Sequence, residues 1–374
     1  MIGVKYIGPV NDFSGYGEAS RNYIFSLNAK GIPVTVFPRN FDPNPPPIAD
    51  KAKKEVLDKL IDRDIPYDVV IIHLTPDLYP RYVEKGKYNI GFAAWETSML
   101  HPKWVNAVSS VDEMWVPCDW NVEAFKNSGL KLPIYKVPHG IDTEMFDGLE
   151  DKKFNIKGVD ESTFKFYSIF QWMHRKNPGG LLRAYFNAFD DVDDVALVLK
   201  SYRMGMNKDK EFIRDQIVNI KKDMNIGRYP KVILIGDLLS KTQMLGLHLY
   251  GDACVCLHRG EGWGLPLFEA GLAGNPVIAT GLGGNVEFMK EDNSYLVDYG
   301  MTYVSDMSTF NPWYLGNQQW AEPSPVHAAS LMREVYENRE EAYARGARLK
   351  NYISTQYSWD RVAGIIVGRL SNIQ

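Results

Sequence analysis

Short runs of β-branched and aromatic residues alternate along the chain with stretches whose apolar positions recur every three to four residues. This alternation predicts parallel sheets covered by helices, an α/β fold. In the first half the strand candidates are Val4–Ile7, Pro33–Phe37, Asp68–Ile72, Asn89–Ala93, Glu113–Val116 and Ile134–Val137, with helical stretches such as Gly17–Lys30 and Ala49–Ile61. Asp119 is placed to cap a helix over Trp120–Asn127, which Gly129 would end. Asn40–Pro47, with Pro43 and Pro45 to Pro47, lacks the amide hydrogens a helix or sheet needs and predicts a loop.

The pattern breaks after Val137. Pro138-His139-Gly140-Ile141-Asp142 is turn chemistry, and Glu144–Asp160 is charged without periodicity, which predicts a linker. A second series then runs Phe164–Phe170, Gly179–Phe189, Val195–Lys200, Asp209–Met224, Lys231–Ile235, Lys241–Tyr250, Ala253–Leu257, Leu265–Ala273 and Pro276–Ala279. Two consecutive doubly wound, Rossmann-like units are expected, with a cleft between them and ligands at the carboxyl ends of the strands. Gly300–Glu322 reads as an irregular aromatic insertion (Tyr303, Phe310, Trp313, Tyr314, Trp320), and helix resumes from Ser324. Trp313, Tyr314 and Trp320 can stack on an acceptor sugar, although an aromatic insertion is more often local packing.

Composition narrows the function classes. A length of 374 residues suits two domains, and 45% apolar with 24% charged residues is a soluble globular balance. With 42 Lys plus Arg against 46 Asp plus Glu, there is no global basic field to hold nucleic acid. The chain opens into the Ile2–Ile7 strand without a secretion signal, and it has no apolar run of membrane-spanning length. A cytoplasmic location is expected, with or without peripheral contact to a membrane. Cys118, Cys254 and Cys256 are too few for a disulfide framework, and the seven histidines show no metal spacing.

The richest chemistry lies in His258-Arg259-Gly260-Glu261-Gly262-Trp263-Gly264-Leu265-Pro266-Leu267-Phe268-Glu269, between a strand and a helix that Pro266 helps to start. Gly260, Gly262 and Gly264 let backbone approach a ligand closely. Free amides near Gly264, Leu265 and Leu267 would turn the positive end of the helix toward a diphosphate. Glu261 in the loop and Glu269 in the first turn are fixed acceptors for sugar hydroxyls. The plain alternative is a glycine-rich turn with two solvated glutamates.

Seven residues separate Glu261 from Glu269, with Gly-x-Gly-Leu-Pro between them and Gly274-Asn275-Pro276-Val277-Ile278-Ala279-Thr280 after. This pattern resembles the retaining GT-B glycosyltransferases of family 4. The resemblance runs over nearly the whole chain. Gly15-Tyr16-Gly17 looks like that family's amino-terminal glycine loop, Val137–Asp142 like its interdomain segment, and Tyr357–Asp360 like the start of a terminal helix that returns to the first domain. It implies an acceptor domain over 1–155 completed by a helix over 358–374, and a nucleotide-sugar domain over 156–357.

Similar enzymes place an Arg and a Lys after the first strand of the second domain to neutralise the leaving diphosphate. Here Gln171 stands where many relatives have the Arg, Lys176 aligns and Arg175 adjoins it. Gly283-Gly284-Asn285-Val286-Glu287 is similar to a second glycine turn of the same site, and Leu238 in Gly236–Leu239 to the hold on the base. Glu96, in Trp95-Glu96-Thr97, takes a position where many relatives have a His touching the transferred sugar. His139 suits a hinge hydrogen bond as well as catalysis.

The expected function is retaining transfer of a hexose from a UDP- or GDP-linked sugar to a hydroxyl acceptor, without metal and with no cofactor beyond the donor. The acceptor is open among a glycan, a lipid-linked sugar, a metabolite, a protein and a modified nucleic-acid base. A nucleotide-sugar epimerase and a non-catalytic nucleotide-sugar or glycan-binding protein remain alternatives.

Overall fold

In the computed structural model, which describes residues 2–373 apart from 44–47, 49, 150–153, 155, 157, 204–208 and 306–310, the described residues group into two units. One comprises Met1–Thr143, Thr309–Gln318 and Ser354–Gln374; the other comprises Glu144–Ser308 and Gln319–Ile353. The expected boundary at 155 therefore falls inside the second unit, and part of the expected insertion groups with the first. The expected Asn40–Pro47 loop, Glu144–Asp160 linker and Gly300–Glu322 insertion each lie partly outside the described residues, Phe310 wholly so.

In the first unit β1 (Val4–Gly8), β2 (Val34–Pro38), β3 (Val69–His73), β4 (Tyr88–Phe92), β5 (Glu113–Val116) and β6 (Ile134–Lys136) form a parallel sheet in the order β2-β1-β3-β4-β5-β6. Buried β-branched residues meet across it, Val4 opposite both Val34 and Val69. Helices α1 (Gly15–Ala29), α2 (Lys51–Leu60), α3 (Pro102–Val108) and α4 (Asp119–Asn127) connect the strands. Asp119 is the first residue of α4 rather than its cap, Cys118 occupies the cap position without a side-chain capping bond, and Gly129 follows the helix at φ +84° as expected of a helix end.

The last helix, Trp359–Leu370, places Val362, Ile366 and Leu370 in the core of this first unit. Ile141 N–H donates to Tyr357 O at 2.8 Å, so the Val137–Asp142 turn is tied to its start. At its far end Arg369 forms a two-point ion pair with Glu113, whose carboxylate is fully buried.

The second unit carries β7 (Phe164–Gln171), β8 (Val195–Tyr202), β9 (Lys231–Ile235), β10 (Ala253–Cys256), β11 (Val277–Thr280) and β12 (Tyr295–Val297) in the parallel order β12-β11-β10-β7-β8-β9. Helices α5 (Pro178–Ala188), α6 (Asp209–Met224), α7 (Lys241–Tyr250) and α8 (Leu265–Ala273) alternate with them, and α9 (Pro325–Glu337) and α10 (Arg339–Gln356) follow. An antiparallel pair, β13 (Tyr299–Tyr303) and β14 (Gln319–Pro323), stands apart from the main sheet. Phe166, Tyr185, Phe186 and Tyr295 fill the core. Among the described residues no helix is long and apolar enough to cross a membrane.

Glu113 also accepts from Tyr88 OH at 2.8 Å and Trp115 Nε1 at 2.7 Å, but only Arg369 brings a full positive charge in the bonds seen there. Arg369→Ala would leave a buried anion without its counter-charge, a loss of about 3 kcal/mol. In a unit of this size the expected drop in the first unit's melting temperature is roughly ten degrees by calorimetry. An unchanged first-unit transition would refute the assignment.

Candidate active site

In an open α/β sheet the chain reverses its strand order at one point, and the loops there part to leave a crevice. In the second unit that point lies between β7 and β10, which pair with Phe166 opposite Ala253 and Tyr167 opposite Cys254. Their carboxyl ends lead into the two stretches singled out from the sequence. After β7, a 3₁₀ turn over His174–Lys176 is closed by Asn177 at φ +50°, whose Oδ1 caps Gly180 N–H of α5 at 3.0 Å.

Four bonds join this basic turn to the glycine loop after β10. Arg259 N–H donates to Arg175 O at 2.7 Å, Arg259 Nη1 donates to His174 O at 2.7 Å, and Arg175 Nη1 donates to Gly260 O at 2.6 Å. Lys176 Nζ donates to Glu261 Oε2, with the Arg175 guanidinium 3.8 Å from the same oxygen. Arg175, Lys176 and Glu261 are therefore one largely buried charge cluster. Burial would raise the Glu261 pKa, but the Lys176 and Arg175 charges outweigh it and hold it at about 2. His258, at the end of β10, is fully buried, which lowers its pKa to about 3 and keeps it neutral. Gln171 ends β7 and faces Tyr202 across the ladder.

Gly264 caps α8 at φ +94°, a conformation that favours glycine. Pro266 has no N–H, and the Leu267 amide bends back to Gly264 O at 2.9 Å. Of the amides expected to be free, those of Gly264 and Leu265 remain as candidates and Leu267 does not. The second glycine turn, Gly283-Gly284-Asn285, packs directly on the first: Gly284 N–H donates to Glu261 O at 2.8 Å, and a Cβ on Gly284 would come within 2.1 Å of Gly262 O. The Trp263 side chain is buried against Phe268 and Phe288, so it anchors the loop and only its backbone can meet a ligand.

Because α8 starts at Leu265, Glu269 lies in the second turn, not the first as expected. Its Oε1 accepts from Lys241 Nζ at 2.5 Å, and His248 Nε2 lies 3.4 Å from Oε2. Burial would raise the Glu269 pKa, yet Lys241 and His248 hold it at about 2. Neither partner was singled out from the sequence, although their seven-residue spacing puts both on one face of α7. Leu238, expected to touch the base, is 85% exposed, and its neighbour Asp237 is engaged by Lys210 at 2.6 Å.

In the first unit the strand order reverses between β1 and β3. Gly15-Tyr16-Gly17 is not a loop but the first turn of α1, capped by Ser14 Oγ accepting from Gly17 N–H at 3.1 Å. A Cβ on Gly17 would meet Asp12 O at 2.2 Å, which is why glycine stands there. Tyr16 OH bonds both Ala94 N–H (3.1 Å) and Ala94 O (3.3 Å), beside Trp95-Glu96-Thr97. Burial raises the Tyr16 pKa, with further contributions from the Glu96 and Asp77 charges. His139 is buried and kept neutral at about 3, with Tyr23 OH 2.7 Å from Nδ1, the setting of a structural hydrogen-bonder. Trp313 packs on Trp104 and Tyr314 on Trp95, while Trp320, in the second unit, is fully buried; Tyr314 and Trp320 thus serve packing.

No protein-family model and no curated protein matches the sequence. Solved structures match the chain in fold. Anabaena HepE, in complex with UDP, aligns over 100% of both chains with a TM-score of 0.67 at 14% identity. Sucrose-phosphate synthase from Thermosynechococcus elongatus aligns over 99% of this chain and 98% of its own, again at 0.67 and 14%. The fold is GT-B. Staphylococcus aureus TarM matches 80% of this GT-B chain at 0.57 and 13%, but the match spans only about half (54%) of TarM.

The two GT-B glutamates make a pH prediction. Each has its pKa lowered from 4.5 to about 2, so each stabilises the fold fully above 4.5 and loses that effect as pH falls toward 2. In chemical denaturation the stability advantage of the parent over Glu269→Gln should shrink as pH drops from about 5 to about 3. A pH-independent difference would mean that Glu269 titrates normally.

Proposed function

We propose that the protein is a retaining glycosyltransferase that moves a hexose from a UDP- or GDP-linked sugar to a hydroxyl acceptor without a metal ion. The observation that carries this reading is the joined cluster of Arg175, Lys176 and Glu261 at the start of α8, with Glu269 farther along the same helix. A departing diphosphate gains negative charge, and two fixed cations beside two helix-start amides meet that charge as it grows. Arg175 takes the role that Gln171 leaves open, since its guanidinium is already aimed at the glycine loop. Glu269 is suited to the ribose hydroxyls and Glu261 to the sugar. The complexes of HepE with UDP and with UDP-glucose lend this reading support by analogy of fold.

Retention follows from same-face attack, in which the departing phosphate oxygen takes the acceptor proton. Glu96, with Gly15-Tyr16-Gly17 beside it, is assigned to the first unit's share of the work, as acceptor of sugar hydroxyls or as a stabiliser of positive charge on the transferred sugar. The acceptor class is tested by panel rather than assigned.

Incubation with a panel of UDP- and GDP-sugars should release nucleotide diphosphate faster when an acceptor is present, and thorough chelation with EDTA should not reduce the rate. Interconversion of donor sugars without release would favour an epimerase; donor binding with neither would favour a binding protein. Activity lost to EDTA and restored by Mn²⁺ or Mg²⁺ would refute the metal-free mechanism.

Lys176→Ala should lower kcat by on the order of a hundred-fold while changing donor affinity far less, because the diphosphate charge peaks in the transition state. Arg175 compensates in part, so the double variant should be slower than either single one. A rise in KM alone would reduce Lys176 to a binding contact.

A further inference from the structure

Behind Glu269 lies a chain of side chains from three other parts of the second unit. Asn275 Nδ2 is 2.6 Å from His248 O and 2.9 Å from Tyr167 OH. Tyr167 OH is in turn 2.9 Å from His248 Nδ1, and His248 Nε2 is 3.4 Å from Glu269 Oε2. Tyr167 and His248 are both fully buried. The Cys254 thiol also faces Tyr167, as a weak partner only.

The two bonds made by Asn275 have a fixed direction. A backbone carbonyl only accepts, so the Asn275 atom facing His248 O is the amide nitrogen, and the same nitrogen donates to Tyr167 oxygen. Tyr167 oxygen lies 2.9 Å from His248 Nδ1, so the two side chains are joined whichever of them carries the proton. The other ring nitrogen, His248 Nε2, stands 3.4 Å from Glu269 Oε2, a close polar approach rather than a hydrogen bond.

The parts are held in place from elsewhere. Asn275 follows Gly274, which ends α8 at φ +90°, and its N–H donates to Ala270 O at 3.1 Å, so the helix that carries Glu269 also fixes the start of the chain. Gly251 makes room for Tyr167, for a Cβ there would stand 2.1 Å from the ring. Ser240 and Gln243 form a capping box that sets the start of α7, where Lys241 reaches Glu269 Oε1.

We propose that Tyr167 and His248 are positioning residues for Glu269: Tyr167 fixes the His248 ring, whose Nε2 stands against Oε2, and this sets the carboxylate plane so that Oε1, beside Lys241, accepts from a ribose hydroxyl of the bound nucleotide. This rests on the reading of Glu269 as the ribose ligand. It assigns the nucleotide's ribose preference partly to residues that do not touch the nucleotide.

The test compares UDP with 2′-deoxy-UDP and 3′-deoxy-UDP by isothermal titration, with GDP and its deoxy forms as the probe if UDP does not bind. The parent should prefer the ribonucleotide by about ten-fold, the weight of one hydrogen bond to a charged group. Tyr167→Phe removes only the hydroxyl and releases the His248 ring from its partner at Nδ1. It should weaken ribonucleotide binding several-fold and bring the ribo-to-deoxy ratio close to one, leaving deoxynucleotide affinity nearly unchanged. His248→Leu should behave alike, and His248→Gln, which keeps an N–H donor, should restore most of the ratio. If Tyr167→Phe does not fold, the Leu and Gln variants of His248 make the same comparison. A ratio that falls in Glu269→Gln but stays at the parent value in the Tyr167 and His248 variants overturns the positioning role and leaves Glu269 as the ribose ligand. A ratio unmoved by Glu269→Gln overturns both. Equal loss toward ribo- and deoxynucleotides would mark the chain as structural support only.

Discussion

An ionised carboxylate largely enclosed by protein persists only where positive charge meets it. Glu261 meets it in Lys176 and Arg175, 85 and 86 positions earlier in the chain. That encounter requires β7 and β10 to lie side by side, and their parallel pairing places both following loops at the point where strand order reverses. The backbone bond from Arg259 to Arg175 then makes the basic turn and the glycine loop one body. The glycines obey the same constraint. Gly284 sits on Gly262 with no room for a side chain, so the second glycine turn follows any movement of the first.

The second glutamate has a different environment. Glu269 is met twice from α7, by Lys241 at Oε1 and by His248, itself joined to Tyr167, at Oε2, and none of these contacts reaches the Glu261 cluster. Two carboxylates on one loop–helix junction are thus set by separate supports.

Much of this was legible in the sequence where the signal was local. Glu261, Glu269 and the glycines fall in one short stretch, and β-branched runs announced most strands of both sheets because a buried parallel strand must be apolar along its length. The three-residue β12 and the β13–β14 pair are too short or too polar to carry that signal. Other misses turned on the first residue of a helix: with α8 starting at Leu265, Glu269 moves to the second turn and the Leu267 amide is consumed internally. Tyr167, Lys241 and His248 come together only through tertiary packing. The two-turn spacing of Lys241 and His248 was the one available hint. Likewise, nothing local told that Trp313 and Tyr314 pack on Trp104 and Trp95, some two hundred residues away.

The first unit is not a continuous stretch of chain. Val362, Ile366 and Leu370 belong to its core and Arg369 neutralises its buried Glu113, yet the 210 residues from 144 to 353 lie between them and Thr143. On a ribosome the usual order, amino-terminal domain first, is therefore reversed in its completion. At about 5–20 residues per second, roughly ten to forty seconds pass between the synthesis of Thr143 and the arrival of the closing helix. For that interval the apolar face of α1 is without its partner and Glu113 without its cation, while the 144–308 stretch emerges in order and gathers the six strands of its own sheet. Through that interval the first unit's core lies open where the closing helix will later cover it.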